Sequence, residues 1–133
     1  MTEANHGGVV RVLVVDDEFV IRQFVSRVLS QAGYLTETAS DAGVAVMVAE
    51  TFQPLHLLVT DIKMPGTNGI DMARAMRARD PRLKVLYLSA YADATFTENA
   101  TLQPWEACLD KPCTAEGLLD AVSFILDDDR RGY

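Results

Sequence analysis

Three short runs of apolar residues stand out along the chain, and each run ends at acidic or hydroxyl residues. They span residues 9–15, 55–59 and 83–88, and the residues that end them are Asp16 and Asp17, Thr60 and Asp61, and Ser89. Apolar runs of this length without alternation are typical of strands that are buried on both faces. The pattern therefore predicts three central strands of a parallel sheet.

Two further segments fit the outer positions of the same sheet. Residues 35–39 alternate between apolar and polar side chains, whereas residues 107–109 form only a short apolar stretch. Both patterns suit strands at a sheet edge, where part of the strand meets water. We therefore expect five strands, of which these two are the outer ones.

Helical stripes of apolar residues separate the strands. Apolar side chains recur at three- and four-residue spacing in segments 20–32, 42–49, 70–76 and 118–126, and a weaker stripe covers residues 92–100. Gly33 follows the first segment as a C-terminal stop, and Ser40 and Asp41 precede the second. Thr114 is placed to cap the last segment. The pattern predicts five helices.

Strand and helix alternate five times, and no linker, repeat or low-complexity tract divides the chain. Connections of this length give right-handed crossovers, so we predict an α/β fold with a doubly wound, five-stranded parallel sheet and helices on both faces. The 133 residues, 49% hydrophobic and 23% charged, suit one domain. We place it at residues 9–127, with polar, flexible tails at residues 1–8 and 128–133.

The charge balance excludes some classes of partner. Twelve basic and nineteen acidic residues give a net charge of -7, which repels nucleic-acid backbones and anionic lipid, so we expect neither as a direct partner. No apolar run approaches the ~20 residues of a membrane helix, and residues 1–8 lack a signal-peptide pattern, so we expect a cytoplasmic protein. Cys108 and Cys113 fit neither a disulfide framework nor a four-ligand zinc site, and we interpret them as packing residues.

Ligands of a doubly wound sheet bind outside the carboxyl ends of its strands. The side chains predicted at that edge are Asp16, Asp17, Asp61, Ser89 and Lys111. Carboxylates ~5 Å apart repel each other by about 3 kcal/mol per pair at an effective dielectric constant of about 20, so positive charge must lie among them. Oxygen ligands without His or Cys favour Mg²⁺, and Lys111 supplies a second positive charge.

This set of groups suits the binding of a tetrahedral oxyanion and the transfer of a phosphoryl group to one carboxylate. Asp61 is the best candidate for the nucleophile, with Ser89 as a neutral hydrogen-bond donor. Taken singly, each residue has an ordinary explanation: the aspartates as turn and capping residues, and Lys111 as a solvated lysine. Their joint placement at four strand ends favours the chemical interpretation.

The same positions carry a resemblance to a known family. The residues concerned are Asp16, Asp17 and Glu18, residues 60–66 with Asn68 and Gly69, residues 88–91, and Asp110, Lys111 and Pro112. Over residues 10–126 the chain resembles a response-regulator receiver domain of two-component signalling and is similar to the chemotaxis-type single-domain regulators. The resemblance implies a flavodoxin-like fold with strand order 2-1-3-4-5, and phosphotransfer from a kinase histidine to Asp61.

The resemblance also implies a role for each site residue. Asp17, Asp61 and the backbone carbonyl of Lys63 would ligate Mg²⁺, Asp16 would hold the ion through water, and Ser89 and Lys111 would bind the phosphoryl oxygens. Mn²⁺ is the expected substitute for Mg²⁺. Similar receivers hold the Lys111–Pro112 peptide bond cis. Because the product is a signalling state, we do not expect an enzyme in the usual sense.

The implied partners are a sensor histidine kinase or phosphotransfer protein as donor, and a downstream protein that binds the fourth helix and fifth strand. That face commonly pairs in the family, so a phosphorylation-dependent dimer is a further expectation. One alternative is a receiver-like interaction module that never uses phosphate. The other is a Mg²⁺-dependent phosphohydrolase of the haloacid-dehalogenase type, which the spacing of residues 16–18 and the lack of room for a cap insertion disfavour.

One position departs from the family pattern. Three residues before Lys111, where the family usually has a switch aromatic, the chain has Cys108. Tyr87, Tyr91 and Trp105 are the candidates to replace its ring. In similar receivers the residues at Lys63 and Tyr91 also influence how fast water removes the phosphoryl group, and Tyr91 is expected to slow that loss by shielding.

Two other sets of polar residues have simpler interpretations. Arg74, Arg77 and Arg79 recur along one predicted helix, and we interpret them as a solvated helix face. His56 lies within an apolar segment, where an imidazole with satisfied hydrogen bonds is the default expectation.

Overall fold

Five parallel strands form the central sheet in the computed structural model, which describes residues 8–90 and 102–127. The strands in chain order are β1 (Arg11–Val15), β2 (Leu35–Ala39), β3 (Leu57–Asp61), the short β4 (Lys63–Met64) and β5 (Thr67–Asn68), β6 (Lys84–Ser89) and β7 (Glu106–Asp110). The order across the sheet is β2-β1-β3-β6-β7, which confirms the predicted 2-1-3-4-5 arrangement. The antiparallel hairpin of β4 and β5 was not predicted from the sequence.

Four helices lie among the described residues: α1 (Phe19–Gln31), α2 (Ala42–Thr51), α3 (Gly69–Arg79) and α4 (Ala115–Leu126). The Asp41 side chain accepts a hydrogen bond from the Val44 N–H at 2.9 Å, and the Thr114 hydroxyl accepts one from the Gly117 N–H at 2.9 Å, so both predicted caps are confirmed. The predicted helix at residues 92–100, and Tyr91 before it, lie outside the described residues. No helix within the described ranges has the length and apolar character that crossing a membrane requires.

The sheet buries one apolar layer on each face, as predicted. Leu58 and Tyr87 pack with residues of α2 and α3 on one face, whereas Leu57 and Leu86 pack with residues of α1 and α4 on the other. All five residues of β3 are buried, and a fully buried leucine contributes roughly 1.5–3 kcal/mol. This two-sided burial fixes the register of the central strands and so fixes which residues leave the sheet at its carboxyl edge.

The amino ends of β1 and β3 are tied together by His56. The His56 Nδ1 accepts a hydrogen bond from the backbone N–H of Arg11 at 2.9 Å, and the backbone N–H of His56 donates to the Arg11 carbonyl at 3.0 Å. The imidazole is half-buried, as expected for a satisfied histidine. His56 pairs in this way before the regular strand, and β3 begins at Leu57, two residues later than the apolar run.

The interpretation of Arg74 and Arg77 as solvated residues is wrong. The Arg74 Nη2 lies 3.0 Å from Glu106 Oε1, and the Arg77 Nη1 lies 3.7 Å from Glu106 Oε2. Glu106 is buried on β7, so its carboxylate draws both guanidinium groups toward the sheet. Arg79 is exposed, as predicted. A pattern confined to one helix cannot show a charge that a distant strand supplies.

Candidate functional site

Three carboxylates meet at the carboxyl edge of the sheet. Asp16 follows β1, Asp17 comes next in the chain, and Asp61 ends β3. One oxygen from each of the three lies within 4.8 Å of the other two. The parallel register of β1 with β3 places Val15 beside Thr60, so the residues after them emerge together. The structure therefore brings together the three acidic residues that the sequence assigned to this edge.

Burial differs among these carboxylates. Asp16 is fully buried and Asp61 is 6% exposed, whereas Asp17 is exposed. Two negative charges held away from water at this distance are costly without a cation. The exposed Asp17 leaves one carboxylate of the group accessible to solvent.

Lys111 supplies a positive charge inside this group. Its ammonium lies 3.1 Å from Asp16 Oδ2 and 3.2 Å from Asp61 Oδ1. Burial alone would lower the pKa of Lys111, but Asp16 and Asp61 outweigh burial and raise the pKa above its ordinary value. The amine therefore stays charged at neutral pH. The Lys111–Pro112 peptide bond is cis, as the resemblance predicted.

The surroundings of Asp61 shift the pKa of its carboxyl group. Burial, followed by the charge of Asp16, raises the pKa of Asp61 to about 6, although Lys111 and the Ile62 N–H act in the opposite direction. The Ile62 N–H donates to Asp61 Oδ1 at 2.8 Å. A carboxylate with this pKa is ionised at neutral pH and more basic than an ordinary aspartate, which suits a nucleophile.

Ser89 ends β6, the strand beside β3, and Lys63 follows Asp61 by two residues on β4. Ser89 ends β6 with 4% exposure, and its carbonyl accepts the Lys111 N–H at 2.8 Å. Its hydroxyl donates to the Ala90 carbonyl at 3.3 Å, a weak bond that a better acceptor would displace. Lys63 is exposed on β4, two residues past Asp61.

Gly69, which the sequence analysis used only as part of the resemblance, holds the backbone of Asp61. Its N–H donates to the Ile62 carbonyl at 2.6 Å, and a Cβ built on Gly69 would collide with the carbonyl oxygen of Asp61. The amino end of α3 therefore approaches the end of β3 more closely than a side chain allows. The Thr60 hydroxyl also donates to the Asp61 carbonyl, at 2.9 Å.

We expect Gly69→Ala to push α3 away from β3 and to lower the free energy of unfolding by about 2 kcal/mol, the usual range for overpacking. Urea unfolding measures this loss. Gly43→Ala in α2 is the control, since the nearest atom to its added Cβ is a side-chain oxygen at 3.4 Å. Equal stability of the two variants would show that the contact at Gly69 relaxes freely.

The raised pKa of Asp61 predicts a pH-dependent cost of folding. Its folded-state pKa of about 6 exceeds the ordinary 3.8, so the folded protein binds the proton more tightly and loses stability as pH rises between these values. In EDTA, we expect Asp61→Asn to be more stable than wild type by about 3 kcal/mol at pH 7.5 and by about 0.5 kcal/mol at pH 4. Chemical unfolding at both values measures the difference, and a constant difference would contradict the assigned shift.

Cys108 occupies the position at which the family usually has a switch aromatic. Cys108 on β7 pairs in register with Tyr87 on β6, and the fully buried Tyr87 donates its hydroxyl to Glu106 Oε2 at 3.2 Å. Burial, then the charge of Glu106, raises the pKa of Tyr87, so the hydroxyl stays protonated. Trp105 is buried before β7, where the Lys84 ammonium lies 5.1 Å from its ring centroid. Both rings therefore have partners at the amino side of β7.

The fold and its edge define a class of protein: a doubly wound α/β domain with an acidic, lysine-containing site suited to phosphoryl chemistry. A family model described as the response regulator receiver domain matches residues 12–123. The chain belongs to this family, whose members act as phosphoacceptor signalling domains in two-component systems.

Individual relatives agree with this assignment. The chain is 29% identical over 116 residues to the response regulator receiver protein CpdR of Brucella abortus, covering 87% of this chain and 96% of that protein. It is 30% identical over 118 residues to a probable chemotaxis protein CheY of Rhizobium etli, covering 87% and 92%. The crystal structure of a response regulator receiver protein from Sinorhizobium medicae superposes with a TM-score of 0.78 at 29% identity, covering 90% and 95%.

Proposed function

We propose that Asp61 is the phosphoacceptor of this receiver domain, and that Asp16, Asp17, Asp61 and the carbonyl of Lys63 form its Mg²⁺ site. The observation that carries the proposal is the Lys111 ammonium, which contacts Asp16 and Asp61 within one group of three carboxylates. A fixed cation beside a basic carboxylate neutralises an approaching phosphoryl group. The donor is a histidine kinase or a phosphotransfer protein.

The donor set fits Mg²⁺ by its chemistry. Carboxylate and carbonyl oxygens are hard ligands, and the set contains no thiolate or imidazole. Bound here, Mg²⁺ supplies positive charge against the phosphoryl oxygens and the carboxylates, and Mn²⁺ is the expected substitute. The exposed Asp17 is the ligand that an incoming ion meets first, because Asp16 and Asp61 are buried.

The transfer step assigns a role to each protein group. Asp61 Oδ1 is already held by the Ile62 N–H and Lys111, so we assign Oδ2 as the attacking oxygen. Its lone pair forms the new P–O bond while the P–N bond of a phosphohistidine breaks, and the leaving imidazole nitrogen takes up a proton from solvent. Lys111 stays charged and faces the phosphoryl oxygens, and the Ser89 hydroxyl turns from the Ala90 carbonyl to donate to one of them.

The signalling output follows the resemblance to the family. Movement of the Ser89 hydroxyl toward the phosphoryl group changes the end of β6, and β7 lies beside β6 in the sheet. We propose that a downstream protein binds at β7 and the segment before it, and that phosphorylation changes this affinity or pairs two copies of the chain.

The test is incubation with acetyl phosphate or phosphoramidate, with Mg²⁺ or with EDTA, followed by intact-mass measurement. We expect one added phosphoryl group with Mg²⁺ and almost none with EDTA. Turnover of p-nitrophenyl phosphate without a stable adduct would instead favour the phosphohydrolase alternative. Absence of both an adduct and turnover, in a folded protein, would favour the phosphate-independent interaction module.

A further inference from the structure

Arg22 contacts the turn that carries both acidic residues after β1. Its Nη1 donates to the backbone carbonyl of Asp16 at 2.6 Å, across six residues. Arg22 lies one helical turn beyond Glu18, and its own N–H donates to the Glu18 carbonyl at 3.0 Å. The side chain therefore links the first turn of α1 back to the end of β1. In the sequence Arg22 resembles any polar residue on the solvent face of an amphipathic helix.

The surroundings of Arg22 restrict where its guanidinium can go. The centre of the guanidinium lies 5.6 Å from the centroid of the Phe19 ring, and Arg22 is half-buried although Phe19 is 61% exposed. A ring stacked on one face of a guanidinium leaves its edge free to donate hydrogen bonds. The Phe19 ring thus favours the orientation in which Arg22 reaches Asp16.

Holding the carbonyl of Asp16 also orients the next residue. That carbonyl and the N–H of Asp17 belong to one planar peptide unit, so fixing the oxygen fixes the plane from which Asp17 continues. The Asp16 carboxylate is held separately, because its Oδ1 accepts the Glu18 N–H at 2.9 Å and its Oδ2 contacts Lys111. The exposed Asp17 carboxylate gains its direction mainly from the backbone, which the Asp16 carboxylate holds through the Glu18 N–H and which Arg22 holds through the Asp16 carbonyl.

We propose that Arg22 is a positioning residue for the divalent-cation site, and that it orients the Asp16–Asp17 peptide so that the Asp17 carboxylate faces Asp61. The proposal rests on the proposed function only in taking these carboxylates as metal ligands. The direction in which metal affinity changes when Arg22 is replaced distinguishes two roles of this residue. A nearby positive charge repels a divalent cation, so loss of charge alone would tighten binding. Loss of positioning weakens it.

The experiment measures Mn²⁺ affinity from the electron paramagnetic resonance signal of free Mn²⁺, without any phosphodonor. We expect Arg22→Met to raise the Kd for Mn²⁺ about tenfold, as for other groups that orient metal ligands. Arg22→Lys keeps one donor and is expected to recover part of this loss. Arg27→Met is the matched control, because Arg27 is an exposed arginine of the same helix and its removal changes the net charge equally.

Thermal unfolding in EDTA is recorded for every variant, so that a folding defect is separated from a metal defect. Weaker Mn²⁺ binding by folded Arg22→Met, with Arg27→Met like wild type, supports the proposal. Unchanged or tighter binding by Arg22→Met overturns it, and so does an equal loss in Arg27→Met. If Arg22→Met does not fold, the Arg22→Lys variant decides by the same criterion. Failure of the wild type to take a phosphoryl group would refute the proposed function while leaving this Mn²⁺ result intact.

Discussion

Replacement of Asp61 by asparagine is expected to lower the rate of phosphorylation by acetyl phosphate at least about a thousandfold, as for the loss of other nucleophiles. An amide oxygen carries no negative charge and is a poor nucleophile, although asparagine has nearly the same shape. Intact-mass measurement over time, with Mg²⁺ present, gives the rate. Chemical unfolding of the same variant shows whether its loss of reactivity reflects unfolding, and we expect it to remain folded.

Asp110→Asn is the matched control for this experiment. Asp110 is an exposed aspartate that ends β7 at the same edge of the sheet, and it lies outside the group of three carboxylates. We expect its variant to be phosphorylated at a rate within about twofold of wild type, because its exposed side chain is not among the groups assigned to the transfer step. An adduct of normal yield on Asp61→Asn would show that another residue accepts the phosphoryl group, and peptide mapping would locate it.

The candidate site was predictable because the amino-acid sequence marks the residues at which the central strands end. A strand buried on both faces is a continuous apolar run, so its last residue is marked by the first charge that follows. Asp16 and Asp61 are marked in this way, and parallel pairing brings them together. The charge of Lys111 was placed at this edge because it follows the fifth strand, whereas the strand order came from the family resemblance, since no apolar pattern states which strand lies beside which.

Contacts between distant elements were not predictable in the same way. Gly69 is one of eight glycines, and nothing in its local sequence shows that a carbonyl of another element occupies the place of its Cβ. In the sequence, Arg22 and Arg74 each occupy a position typical of the polar face of a helix. Their partners are a backbone carbonyl and a buried carboxylate, the latter 32 residues away. Such contacts depend on tertiary packing, which a helical period does not encode.

Glu106 changes the interpretation of the end of the sheet where Cys108 replaces the usual aromatic. Cys108 is half-buried, while the neighbouring Tyr87 fills the apolar layer beneath it and is fixed by a hydrogen bond to Glu106. The Gln103 N–H also donates to Glu106, at 2.8 Å. The Glu106 carboxylate thereby joins α3, β6 and the chain before β7, so the packing of this region depends on the polar contacts of one buried side chain.

Removal of the Glu106 carboxylate is expected to cause the second large effect, a loss of free energy of unfolding. Glu106→Ala leaves Arg74, Arg77 and the Tyr87 hydroxyl without their shared acceptor, and breaking a buried ion pair commonly costs 3–5 kcal/mol. The Arg74 side chain is 32% exposed and can turn toward water, so we expect the lower end of this range, about 3 kcal/mol. Urea unfolding at pH 7 measures the loss. Glu37→Ala is the control, since Glu37 is an exposed glutamate on the opposite outer strand.

The pH dependence of this loss identifies its cause. Burial alone would raise the pKa of Glu106, but the hydrogen bonds from Arg74, the Gln103 N–H and Tyr87, together with the charge of Arg74, outweigh burial and hold the pKa below the ordinary 4.5. A lowered folded-state pKa gives stability that is present above the ordinary value and is lost as pH falls through the folded-state pKa. The difference between wild type and Glu106→Ala is therefore expected to shrink below pH 4.5. A difference that stays constant into strong acid would mean that Glu106 stabilises the sheet by packing and not by its charge.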